Sequence, residues 1–147
     1  MKISKIHEGY IEIENKEKFH SIVCEIKTLI KNNKIKKGKI ELHLLHEVGS
    51  IVPLGWENVL KEDMEDFLND ILPAGKYIKH DEPETPFRKN FFQHAQTKLI
   101  GSPFFILQIN DGKIVLGKYQ DVCIFNPIFS EIPKFKIFYR IYEFGDD

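Results

Sequence analysis

The chain is short of the features that most quickly assign a protein. Its two cysteines, Cys24 and Cys123, lie far apart and form no metal-binding spacing. Both fall in apolar runs, so each is expected to be a small buried residue rather than half of a disulfide. Charge of one sign is also lacking. The net value of −1 at pH 7 argues against a nucleic-acid or membrane-surface protein driven by bulk charge. No apolar run approaches the roughly 18 residues that cross a bilayer, and the N-terminus carries no apolar core of a signal peptide. The expectation is a cytoplasmic protein with neither a membrane nor a nucleic acid as partner. There is no internal repeat, low-complexity tract or linker.

What remains is ordinary globular material. The 147 residues are 42% hydrophobic and 29% charged, as expected of one domain spanning residues 1–147 with one core. Twelve Phe stand against a single Trp, so that core should be rich in Phe and Ile. Charge is uneven, with lysines gathered from Lys31 to Lys39 and acids from Glu57 to Glu84. The basic run reads as the turn between a helix and a strand, its other reading being a phosphate or nucleic-acid contact.

Periodicity supplies the elements. Tyr10 to Glu14 alternates as a half-buried strand, and Phe19, Ile22, Val23, Ile26, Leu29 and Ile30 predict an amphipathic helix over about 17–32. Ile40, Leu42 and Leu44 form a second strand whose inward phase continues to His46, while His43 points the other way. Gly49 to Gly55, with Pro53, reads as loop or irregular strand. Leu60 to Ile71 predicts a helix ended by Pro73 and Gly75. Residues 77–90 read as a long polar loop of the kind that is more often functional than idle. A short third helix, Phe91 to Ile100, carries His94. Strands follow at Phe104 to Ile109, Lys113 to Leu116, Gln120 to Phe125 and Phe135 to Phe144, with Asp111-Gly112 as the hairpin turn. The last strand has aromatics on both faces, so its second face should meet another layer or a subunit. The class is α+β: β-sheet layers with about three helices, built from an N-terminal β-α-β unit and a C-terminal meander.

Three of the six histidines could gather round a metal: His46 at a strand end, His80 in the acidic loop and His94 on the third helix. Neutral imidazoles hold zinc well and leave a fourth position open. Each also has a plainer reading, as a core, loop or helix-face histidine. Asp81 could orient His80. Glu57 is the candidate general base, or simply a carboxylate at a helix N-terminus. Ser102 and Gln120 could hydrogen-bond a substrate, or be a helix-exit serine and a strand glutamine.

Four stretches, taken in order, are similar to one family. They are the strand ending in His46 with the Glu57-Asn58 pair after it; Leu72-Pro73 followed by Tyr77 to Asp81; Asn90 four residues before His94, then Gly101-Ser102; and Asp111 through Gln120. The chain resembles the YjbQ family, sometimes labelled secondary thiamine-phosphate synthase. That resemblance implies a compact α+β fold, a homotrimer, and a three-histidine cluster at the subunit surface holding a divalent metal, zinc above all. It also implies action on a small phosphorylated substrate, in which a thiazole phosphate displaces pyrophosphate from a pyrimidine pyrophosphate. The chain departs from the family pattern at Glu47-Val48-Gly49, where a Thr and small residues are usual. It departs again at Tyr119 in place of Trp and at Asn126 in place of Glu, and its C-terminal basic cluster is reduced to Lys134, Lys136 and Arg140. A carboxylate at 47 would repel an anionic substrate. These changes leave open a trimeric binding or assembly protein whose catalytic apparatus has degenerated.

Overall fold

The computed structural model describes residues 1–75 and 90–145. Eight strands and three helices occur among them: β1 (Lys2–Glu14), β2 (Phe19–Ser21), α1 (Val23–Asn32), β3 (Gly38–Leu44), β4 (Ser50–Gly55), α2 (Asn58–Ile71), α3 (Phe91–Ile100), β5 (Phe104–Asn110), β6 (Lys113–Ile114), β7 (Gln120–Phe125) and β8 (Lys134–Gly145). They form a five-stranded antiparallel sheet, β1-β8-β3-β5-β6, and a three-stranded one, β2-β7-β4. The expected α+β class holds. No helix among the described residues is long and apolar enough to cross a membrane.

The core is rich in Ile, as the composition implies, but not in Phe: among the described residues only Phe19, Phe125 and Phe135 of the phenylalanines are buried. Ile40, Leu42, Leu44, Ile137 and Ile141 on the inner face of the large sheet pack against Ile26 and Ile30 of α1 and against Ile51, Val122 and Ile124 of the small sheet. The other face of the small sheet presents Phe19, Val52, Cys123 and Phe125 to Leu68 of α2, with Met64 and Ile100 beside them. β7 is therefore covered on both faces, which explains its unbroken apolar run Val122 to Phe125. The Asp111-Gly112 hairpin forms as read, with φ of 51° and 73° at its two central residues.

Four further expectations need correction. Residues 19–21 are strand, not helix: Phe19 pairs with Phe125 in the ladder and stacks on its ring at 4.6 Å, so tertiary pairing overrides a pattern that fits both periods. Gly49 to Gly55 is largely a regular strand. Pro53 is tolerated because β4 is an edge strand of the small sheet. Among the described residues there is no simple β-α-β unit or single meander, because β8 inserts between β1 and β3 while β7 joins the other sheet. Cys24 is exposed and only Cys123 is buried, since α1 turns Ile22, Ile26 and Ile30 inward instead. The predicted loop at 77–90, including His80 and Asp81, lies outside the described residues but for Asn90.

Candidate functional site

The loop after β3 meets α3 at a corner that holds two of the three histidines. Asn90, His94 and Lys98 are spaced four apart, which puts them on one face of α3; Asn90 is its N-cap residue. That face meets Glu47. The Lys98 ammonium donates to the Glu47 carbonyl at 2.8 Å and lies 3.2 Å from its carboxylate. The same carboxylate lies 3.9 Å from His94 Nδ1, and the His94 side chain is only 17% exposed. Glu47 thus does not stand as a bare negative charge beside the site. The buried Asn90 Oδ1, one turn before His94, has no hydrogen-bond partner among the described residues, so this face of α3 retains polar capacity.

His46 faces inward, as its phase predicts, though β3 ends two residues before it. Its ring stacks on Phe135 at 4.2 Å with planes 12° apart, and its Nε2 accepts the Lys136 backbone N–H at 2.8 Å. Burial pushes its pKa below the ordinary 6.5, in keeping with a ring that accepts a proton-bearing partner. A neutral imidazole whose Nε2 accepts carries its hydrogen on Nδ1. Binding a metal through Nε2 would therefore require His46 to release the Lys136 amide. A cavity of about 230 Å³ opens beside the ring, between it and Ile128 and Ile132. His43 is on the opposite face, its ring 4.5 Å from that of Phe104.

The other candidates are placed as follows. Glu57 is the N-cap residue of α2 and makes no side-chain cap bond; it is exposed, as the helix-terminus reading expects. Ser102 is joined to β4 through reciprocal backbone bonds with Ile51 at 2.8 and 3.3 Å, and its hydroxyl accepts from the Phe104 amide at 3.1 Å. Gly101 is required there, because a Cβ on it would sit 2.7 Å from the Ile51 carbonyl oxygen. Gln120 closes the turn before β7, its Oε1 accepting from the Gly117 amide at 2.7 Å. Among the described residues no three His, Cys, Asp or Glu side chains are grouped to hold a metal ion; His80 is not among those residues. The reading of the residues singled out His46 and His94 but passed over Lys98, whose position four residues after His94 was the available signal.

The family model described as UPF0047 protein YjbQ-like matches residues 7–131. The chain belongs to the YjbQ-like family. Solved structures agree on the fold of this YjbQ-like chain. A YbjQ-like protein of unknown function from Sulfolobus solfataricus P2 is 18% identical, with a TM-score of 0.77 over 95% of this chain and 99% of that one. A hypothetical protein from Aeropyrum pernix K1 is 14% identical, with a TM-score of 0.76 over 95% and 99%. An uncharacterized conserved protein of the YjbQ/UPF0047 family from Clostridium acetobutylicum is 23% identical, with a TM-score of 0.71 over 92% and 98%. No curated protein matches the chain. At these identities the likeness speaks for the YjbQ-like fold alone.

Proposed function

We propose that the corner between the 45–49 loop and α3 is a divalent-metal centre, with zinc as the metal and His46, His80 and His94 as its ligands. The observation that carries this reading is the Glu47 bridge, which ties the loop bearing His46 to the helix face bearing His94. The unsatisfied Asn90 oxygen, one helical turn before His94, adds support. The accepted Lys136 amide weighs against His46, which must exchange that hydrogen bond for the metal. Zinc held there would supply Lewis acidity toward a phosphate oxygen. The substrate is a small phosphorylated molecule, in a thiamine-phosphate synthase type of transfer, with Glu57, Ser102 and Gln120 as the family-derived contacts. The test is elemental analysis of purified wild type, His80→Ala and His94→Ala. About one zinc per wild-type chain and a clear loss in both variants is expected; equal content in all three would overturn the site.

A second reading rests on a specific observation. His46 Nε2, Ser102 Oγ and Gln120 Oε1 are each engaged inside the fold, which favours a binding or assembly protein without turnover. Turnover abolished by His94→Ala would count against it. In either case the working unit is a homotrimer, and the outer face of the large sheet is the assembly surface. There Tyr10, Phe138, His43 and Phe104 lie side by side across four strands, with Phe104 61% and Ile106 54% exposed. An exposed apolar sheet face of this kind marks an association site. Light scattering should give three times the 17.3 kDa chain mass and a smaller species for Phe104→Asp/Ile106→Asp. A monomeric wild type, or an unchanged variant, would refute it.

A further inference from the structure

A groove runs between α1 and the β5–β6 hairpin, and we propose that it binds a small amphipathic anion, an organic phosphate or carboxylate carried on an apolar body. Its cavity of about 550 Å³ falls within the roughly 300–1,000 Å³ typical of small-molecule sites. Val23, Lys27 and Ile30 recur at helical spacing and turn one stripe of α1 toward the hairpin. The floor between them is apolar, completed by Ile114 and Leu116. The rim is basic: Lys27, Lys113 and Lys118 line it, and no acidic residue among the described ones does.

The charges on this rim are not neutralised by ion pairs among the described residues, as those of some other lysines are. Lys39, Lys61 and Lys98 each face a carboxylate, at 3.3, 3.7 and 3.2 Å. Lys27 and Lys113 have no ion pair among the described residues, and Lys118 only lies over the Tyr119 ring at 5.3 Å. Lys36, from the basic run after α1, adds a further charge at one end. Its ammonium lies 3.9 Å from the point a Cβ on Gly112 would occupy. Two acids flank the groove. Asp111 and Asp121 stay out of the lining, and the Asp121 carboxylate already accepts from the Ser21 hydroxyl and the Val122 amide. Uncompensated ammonium groups around an apolar floor focus a positive potential and select an anion with an apolar body. Gln120, whose Oε1 is taken by Gly117, keeps its Nε2 hydrogens to donate to such a ligand.

The groove shares no lining residue with the cleft beside His46; Gln120 is the one residue it has in common with the proposed function, and the lysines and apolar floor that carry this inference do not rest on the metal reading. The test is amide chemical-shift mapping of the full chain with phenyl phosphate, benzoate, benzyl alcohol and inorganic phosphate as probes. Phenyl phosphate or benzoate should shift the signals of residues 23–30 and 112–120, the tighter of the two naming the head group. Benzyl alcohol and inorganic phosphate should each bind at least about ten-fold more weakly, because each lacks half of the recognised chemistry. Lys27→Gln, Lys113→Gln and Lys118→Gln should weaken binding about three- to five-fold apiece; all three side chains are exposed, so the fold is retained. His94→Ala should bind as wild type, which separates this site from the metal corner. The proposal is overturned by silence of the groove signals up to about 10 mM probe or by shifts confined elsewhere. Equal binding of the neutral probe or of inorganic phosphate, an unaffected triple variant, or loss of binding in His94→Ala would overturn it as well.

Discussion

Replacing His46 separates its role in the fold from any role as a ligand. His46→Ala removes a ring stacked on Phe135, worth about 0.5–1.5 kcal/mol. It also removes the acceptor of the Lys136 amide, worth about 0.5–1.5 kcal/mol where water can reach the freed group. The sum is about 1–3 kcal/mol, or a fall in melting temperature of roughly 3–10 °C for a domain of this size. His46→Phe keeps the stacking and should recover part of the loss. The pH dependence has a definite sign. Burial holds the folded pKa below 6.5, so below pH 6.5 the unfolded chain takes up a proton that the folded chain refuses. His46 therefore contributes stability that is present above 6.5 and lost as pH falls toward the lower folded value. Circular-dichroism melts of wild type and His46→Phe at about pH 8 and about pH 5.5 should show the wild type losing more on acidification. A His46→Ala variant that melts with wild type, or a wild-type-to-Phe gap independent of pH, would refute the reasoning.

Two further outcomes follow from local geometry. Gly101→Ala places a Cβ 2.7 Å from both the Ile51 carbonyl oxygen and Ser50 Cβ, and should cost about 1–3 kcal/mol in chemical denaturation; wild-type stability would mean that the α3–β4 junction yields without strain. A thiol-reactive aromatic disulfide should label Cys24 alone in the native protein. Burial first, and the Asp121 carboxylate second, push Cys123 up to about 12, so it should react only after denaturation. Two rapidly labelled thiols would contradict that environment.

Much of this was legible in the sequence because local patterns carried it. The alternation through Leu44 placed His46 inward and His43 outward, and Asp111-Gly112 announced its hairpin. The spacing of Asn90 and His94 put both on one helix face. What could not be read depends on partners distant in the chain. Phe19 becomes strand only because Phe125 is beside it. Nothing near His46 reveals that residue 136 will supply an amide to its ring. Glu47 looked like an unscreened charge until Lys98, from another element, was placed against it. The groove beside α1 escaped notice for the same reason, since its lysines come from two segments far apart in sequence.

The position of β8 has a consequence for how the chain comes to fold. It lies between β1 and β3, with Lys2 paired to Gly145 at the far end of the register. During synthesis β1 must wait without a partner, and β3 with one edge open, until β8 has emerged. Such non-local closure is slow and leaves strand edges open to other chains. Nascent chains of this protein should therefore be most vulnerable to aggregation before β8 leaves the ribosome.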